Sequence, residues 1–197
     1  MTMEERGLPA WSSVGWVLAA LAPIIGGAVG AMEALVLVAA TVVVMIVVGA
    51  IVLAVRSLVG IWGALAVSAF VAVALATIFS LYLDVNAPEL AAALGVFVPL
   101  IAVNPLVLRQ ALLVELDAPG SLYARSLAAA AELVILAVAI GVVREIFADG
   151  TIFGAAIGDV GADAFGAPAF ALFFAGLLVA AFRAVRKEGE PKGGETA

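Results

Sequence analysis

The chain has 197 residues, 66% hydrophobic and 12% charged, with a mean hydropathy of +1.28 and a net charge of −6. About a quarter of the residues in a soluble domain are charged, so a water-soluble globule is excluded, and so is disorder in a chain this rich in apolar surface. Nine Lys+Arg exclude nucleic-acid binding, and the absence of Cys and His removes disulfides, zinc, haem and thiolate-held iron–sulfur sites from this chain's own side chains.

A hydrocarbon core of about 30 Å takes roughly 20 apolar residues of helix. Met1–Arg6 is acidic and no small-residue cleavage site closes a short apolar core, so no cleavable signal peptide is expected. Six stretches then qualify as spans: Ser12–Gly30, Glu33–Val55, Leu58–Leu83, Leu90–Leu108, Leu122–Val143 and Phe165–Phe182. They are continuous and rich in Ala and Leu, without the period-two alternation of a membrane barrel. The predicted fold is an all-α polytopic membrane protein forming a single domain over 1–197. Arg144–Gly166 reads as a Gly/Asp-rich loop and Glu188–Ala197 as a flexible polar tail.

The cations set the expected orientation. Arg56, Arg109, Arg125, Arg183, Arg186, Lys187 and Lys192 fall on one side of a six-span arrangement. Glu33, Asp84, Glu89, Glu145, Asp149, Asp159 and Asp163 fall on the other, with Arg144 its only cation. Both termini are therefore expected in the cytoplasm, with the chain in a prokaryotic inner membrane.

The first and fourth spans carry breakers. Span one contains Ala22, Pro23, Gly26 and Gly27; span four contains Pro99 and then Asn104 and Pro105. Proline removes an amide donor and crowds the preceding turn, and in lipid a freed carbonyl must be satisfied by protein or water. Both helices are expected to break near mid-membrane, with Asn104 placed to cap a half-helix. The breaks fall in the first helix of each three-helix half, about 10–84 and 87–187. That is the pattern of an inverted repeat around a central site at Pro23, Gly26, Gly27, Asn104 and Pro105; ordinary proline kinks are the plainer reading.

The stretch Ala-Leu-Gly-Val-Phe-Val-Pro-Leu-Ile-Ala-Val-Asn-Pro (Ala93–Pro105) resembles the fourth-helix motif of the paired membrane subunits of Rnf complexes and of the sodium-pumping NADH:quinone reductase, Nqr. Val-Arg-Glu-Ile-Phe-Ala-Asp-Gly-Thr-Ile-Phe-Gly (Val143–Gly154) resembles the Arg-Glu segment after helix five in the RnfE/NqrD branch. The last helix, Ala169–Lys187, with its basic end, is a third match, and the order is kept along nearly the whole chain. The resemblance implies a six-helix subunit that pairs with a sister of opposite orientation. In the family two such subunits hold a 2Fe–2S cluster on four cysteines, two from each. Electrons cross the membrane between flavin- and iron–sulfur-bearing partners as Na⁺ or H⁺ moves. Here the two cysteine positions align with Ala22 and Pro105, and neither supplies a thiolate. No cofactor is therefore expected in this chain, flavins only in partner subunits.

Three further features stand out. Glu132 sits within the fifth span, where a carboxylate costs on the order of 2–3 kcal/mol. It is a candidate for an ion pathway, or it pairs with Arg125 or reaches the interface. Arg144 and Glu145 read as an ion pair anchoring the end of the fifth span at the interface, or as a docking contact for a partner. The small-residue series Gly26/Gly30 and Gly60/Ala64/Ser68 suit close helix packing within the chain or with a neighbour. No catalytic constellation is present. Two functions remain: a membrane subunit of an Rnf/Nqr-like ion-translocating electron-transport complex, or a non-redox transporter or channel built on the same bundle.

Overall fold

The computed structural model describes residues 13–27, 30–116, 119–152 and 155–156, with a few positions between 170 and 180. The helices are α1 (Ser13–Gly27), α2 (Ala31–Val55), α3 (Ile61–Asn86), α4 (Pro88–Leu94), α5 (Pro105–Leu116) and α6 (Pro119–Asp149). Two 3₁₀ turns, Gly95–Phe97 and Pro99–Val103, lie between α4 and α5. A two-residue hairpin follows α6, with β1 (Thr151–Ile152) antiparallel to β2 (Ala155–Ala156) and Thr151 opposite Ala156.

Four helical stretches are long and apolar enough to cross a membrane: Ala31–Val55, Ile61–Asn86, Pro88–Leu112 and Ala124–Asp149. Trp16–Gly27 is a shorter apolar helix. This is a helical, multi-pass membrane architecture. The expected last span, Phe165–Phe182, lies mostly outside the described residues. Phe170 is described, and its ring meets Phe147 of α6 edge-on at 6.4 Å.

The bundle is organised around α2, which packs against α1, α3, α5 and α6. Half of the α2 membrane window is buried, against 22% for α3, so α2 is central and α3 peripheral. Leu37, Met45, Val48 and Val52 carry the inward side of α2. Lone hydroxyls within the helices bond to their own backbone: Thr41 Oγ1 donates to the Leu37 carbonyl at 2.8 Å, and Ser68 Oγ to that of Leu65 at 2.7 Å. An isolated helix in lipid can satisfy a hydroxyl in this way without any neighbour.

Two expectations are corrected. The first helix does not break at Pro23: α1 runs through it and ends at Gly27. Proline deletes one amide, that facing the Ala19 carbonyl, and the remaining bonds carry the helix one more turn. The second correction concerns Arg144–Gly166, expected as a loop. Helix α6 continues through Arg144 and Glu145 to Asp149. Both side chains are buried against other helices, so the chain gains by staying helical there. Gly150 ends it, with φ at 63° and its N–H on the Ile146 carbonyl at 3.1 Å, the usual left-handed glycine stop.

The fourth span is interrupted over ten residues. Gly95 leaves α4 at φ 42° and ψ −123°, a conformation that favours glycine. Asn104 is extended at φ −62° and ψ 128°, as expected of a residue before proline. The second 3₁₀ turn lies along α3, whose buried positions Ala64, Ser68, Ala72 and Ala76 are all small. Small residues let the wider, irregular segment approach closely.

Helices α2 and α6 come closest at Gly141. A Cβ there would stand 2.9 Å from the Ala34 Cβ and 3.1 Å from both the Ala31 Cα and the Gly30 carbonyl oxygen. The obstacle is largely backbone, which cannot swing aside. Gly141→Leu is therefore expected to cost about 1–3 kcal/mol or more by overpacking. Gly60→Ala, at a position with nothing within 4 Å, is expected to be near neutral. Thermal unfolding of the two variants in detergent checks the contrast.

Candidate functional site

The interrupted helix is locked to α1 by one side chain. Asn104, buried, donates from Nδ2 to the Ala20 carbonyl at 3.0 Å and accepts the Leu106 N–H on Oδ1 at 3.0 Å. The second bond caps the first turn of α5, whose Pro105 has no amide to offer. The first bond reaches the α1 turn that Pro23 crowds. One amide group thus serves both weakened places, because it has a donor and an acceptor at its tip.

Gly26 and Gly27 make room for the break. A Cβ on Gly26 would lie 2.6 Å from the Phe97 ring. One on Gly27 would lie 2.7 Å from Phe97 and 2.8 Å from Leu37. Phe97, on the first 3₁₀ turn, is the wedge that sets the spacing between the break and the end of α1. Sequence reading placed Pro23, Gly26, Gly27, Asn104 and Pro105 at one centre; the structure joins Asn104 to the Ala20 carbonyl and sets Gly26 and Gly27 against Phe97, which the sequence reading missed. The signal available for Phe97 was its position two residues before Pro99, facing a Gly-Gly pair.

A second constellation sits where α1 gives way to α2. Arg144 Nη1 donates to the Ile25 carbonyl in the last turn of α1, at 3.1 Å. Glu145 Oε2 accepts the N–H of Ala31, the first residue of α2, at 3.0 Å, and its Oε1 accepts the Thr151 hydroxyl at 3.0 Å. Glu33 accepts the Gly30 N–H at 3.1 Å. A cation therefore faces a helix C-terminus and two carboxylates face a helix N-terminus, the arrangement that the orphan backbone groups and helix dipoles favour. Sequence reading set Arg144 and Glu145 at the membrane interface. The structure buries both, 3% and 6% exposed, and gives each its own helix end to hold.

Polar residues also bridge α5 to its neighbours. Arg109 lies over the Trp16 ring at 5.8 Å from its centroid, a cation–π contact between α5 and α1. Ser126 Oγ donates to Gln110 Oε1 at 2.8 Å, linking α6 to α5, and Gly49 on α2 leaves room for that amide. Gln110 and Ser126 were not singled out from the sequence, Glu33 was read only as an acid of the outer face, and Thr151 only as part of the second motif.

Glu132 is half-buried near the middle of α6. Among the described residues no hydrogen bond reaches its carboxylate, and no ion pair joins it to Arg125.

The residues present do not fit a 2Fe–2S cluster. Ala22 is exposed on α1, Pro105 begins α5, and neither has a soft donor. The chain has no Cys or His. Among the described residues no group of three or more Asp or Glu is gathered to hold a metal ion. What the arrangement does offer is a helix opened inside the bundle and held open by named hydrogen bonds.

A family model, described as Rnf-Nqr subunit, membrane protein, matches residues 13–186. The chain belongs to the Rnf-Nqr family. The match takes in α1 to α6, including the break and the Arg144–Glu145 clasp. No curated protein matches the chain. As an Rnf-Nqr subunit it is an integral membrane protein, and its two resembling motifs now have structural roles: Ala93–Pro105 holds the break, and the described part of the second motif, Val143–Ile152, forms the clasp and the strand β1.

Two consequences follow for this Rnf-Nqr chain. Asn104→Ala leaves the Ala20 carbonyl and the Leu106 amide without their bonds, and a loss of about 1–3 kcal/mol is expected in thermal unfolding. Arg144→Met is expected to destabilise by a similar amount, about 1–3 kcal/mol, while Glu145→Gln is milder because an amide oxygen still accepts the Ala31 N–H. Unfolding midpoints of the three variants in one detergent check the order.

Proposed function

We propose that this chain is a membrane subunit of an ion-translocating electron-transport complex of the Rnf/Nqr type, in the RnfE/NqrD branch. The single observation that carries the proposal is the family match across 13–186, which spans the whole described bundle. The branch rests on the Arg-Glu segment and on the distribution of basic residues, which puts both termini in the cytoplasm of a prokaryotic inner membrane. In this reading the chain has six spans in two inverted three-helix halves, with the interrupted fourth span at their common centre. Its partner is a sister six-helix subunit of opposite orientation, within a complex whose other subunits carry the flavins.

This chain's own side chains offer no thiolate or imidazole to hold a redox metal. Its part is positional. The break replaces regular helix with turns between Gly95 and Val103, and Pro99 has no amide for the Gly95 carbonyl. Asn104 and Phe97 fix the break against α1, so the opening is shaped by the chain before any partner binds.

The test is purification of the tagged chain from its native membrane in mild detergent. A sister membrane subunit and flavin-bearing partners are expected to come with it. A chain recovered alone, and moving solute across liposomes with no electron donor present, would replace this reading with that of a non-redox transporter.

A further inference from the structure

The outward surfaces of α3 and α6 both expose bulky apolar side chains, on α6 Leu127 and Ile135, but α6 adds a carboxylate within the span. On α3 the exposed side chains are bulky and apolar: Trp62, Phe70, Ile78, Leu81 and Val85, each at least 60% exposed. Lipid tails solvate such groups without penalty. On α6 the flank beside the buried face carries Glu132, with Ala128 one turn before it and Ala139 two turns after. Ala129, on the turn below, is also small. Helical side chains lean toward the N-terminus of their helix, so the Glu132 carboxylate lies over the turn of Ala128 and Ala129. Nothing bulky on that turn shields it. It stands eight residues, roughly 12 Å at 1.5 Å per residue, beyond Ala124, where the apolar span of α6 begins.

A carboxylate at this depth needs a donor, and no described residue supplies one. Arg144, on the same helix, is committed to the Ile25 carbonyl more than three turns away. Small residues beside a polar group are what a second transmembrane helix packs against. Lipid gains nothing from either.

We infer that the Glu132 flank of α6 is the surface on which a transmembrane helix of another subunit docks, and that this helix presents a cationic or amide donor to the Glu132 carboxylate at its depth within the span. The inference rests on the proposed membership of a multisubunit complex and says where on this chain that contact is made. The small residues permit the approach, and the carboxylate sets its depth. A helix without a donor at that level would leave the charge uncompensated, so the site selects its partner as well as holding it.

The absence of cysteine makes the test direct. Ala128→Cys and Phe70→Cys each place one thiol in the whole chain, on α6 and α3 respectively. Each variant is treated, within the purified complex, with a thiol-reactive photo-crosslinker. Ala128→Cys is expected to yield an adduct with a different membrane subunit, mapping by mass spectrometry to a transmembrane segment that contains a Lys, Arg, Asn or Gln at the depth of Glu132. Phe70→Cys is expected to yield lipid adducts. Glu132→Leu, which suits lipid and so spares the folding of the chain, is expected to lower the partner recovered per chain about three- to tenfold, and Glu132→Gln to retain most of it.

A complex that assembles normally while Ala128→Cys gives only lipid adducts, or an adduct of twice this chain's mass, would overturn the docking surface and leave the proposed function standing. So would Glu132→Leu with undiminished partner recovery. Loss of ion movement in Glu132→Gln with assembly intact would assign the residue to an ion pathway instead. No co-purifying subunit under any condition would overturn the proposed function and this surface with it.

Discussion

A helix that ends or opens inside a membrane must find partners for its backbone groups within the protein, because lipid offers none. Three buried side chains meet that demand here. Asn104 ties the interrupted fourth span to α1 and caps α5. Arg144 holds the last turn of α1, and Glu145 holds the first amide of α2. All but the local cap on Leu106 cross from one helix to another, and all are buried. The same groups that cure a local defect therefore fix the arrangement of α1, α2, α5 and α6. At a soluble surface water would serve as well as any of them.

Such bonds need short distances, and glycine supplies them where side chains would intervene. Gly141 lets α6 approach α2 closely enough for Glu145 to reach Ala31. Gly26 and Gly27 let Phe97 sit against the end of α1, which keeps Asn104 within reach of Ala20. Packing and polar satisfaction are one problem in this bundle: enlarging the glycine moves the polar partner. The hydroxyls of Thr41 and Ser68 are different, since they are satisfied within their own helices and impose nothing on their neighbours.

Ala22 and Pro105 leave this chain without soft ligands at those two positions. The α2–α3 side holds an apolar groove of about 500 Å³ lined by residues such as Leu35, Val43, Leu75 and Ile78, suited to lipid. The α6 flank carries a carboxylate, which lipid does not solvate.

The sequence by itself determined the membrane class, the positions of the four long apolar helices and an interruption of the fourth span at Pro99 and Asn104–Pro105, because hydropathy, proline and the residue before it act locally. It also marked Asn104, since an Asn before a Pro inside an apolar run has a cap as its natural use. It placed the first break wrongly at Pro23, because one missing amide does not end a helix when the turns on either side are held. It read Arg144 and Glu145 as an ion pair anchoring the end of the fifth span at the interface, with a loop beyond, because Gly and Asp follow them closely. Only the tertiary structure decided that those two residues are buried, that α6 extends beyond them, and that Phe97, Gln110 and Ser126 matter. The partners of these residues lie on helices far away in the chain, and no local pattern records how helices meet in space.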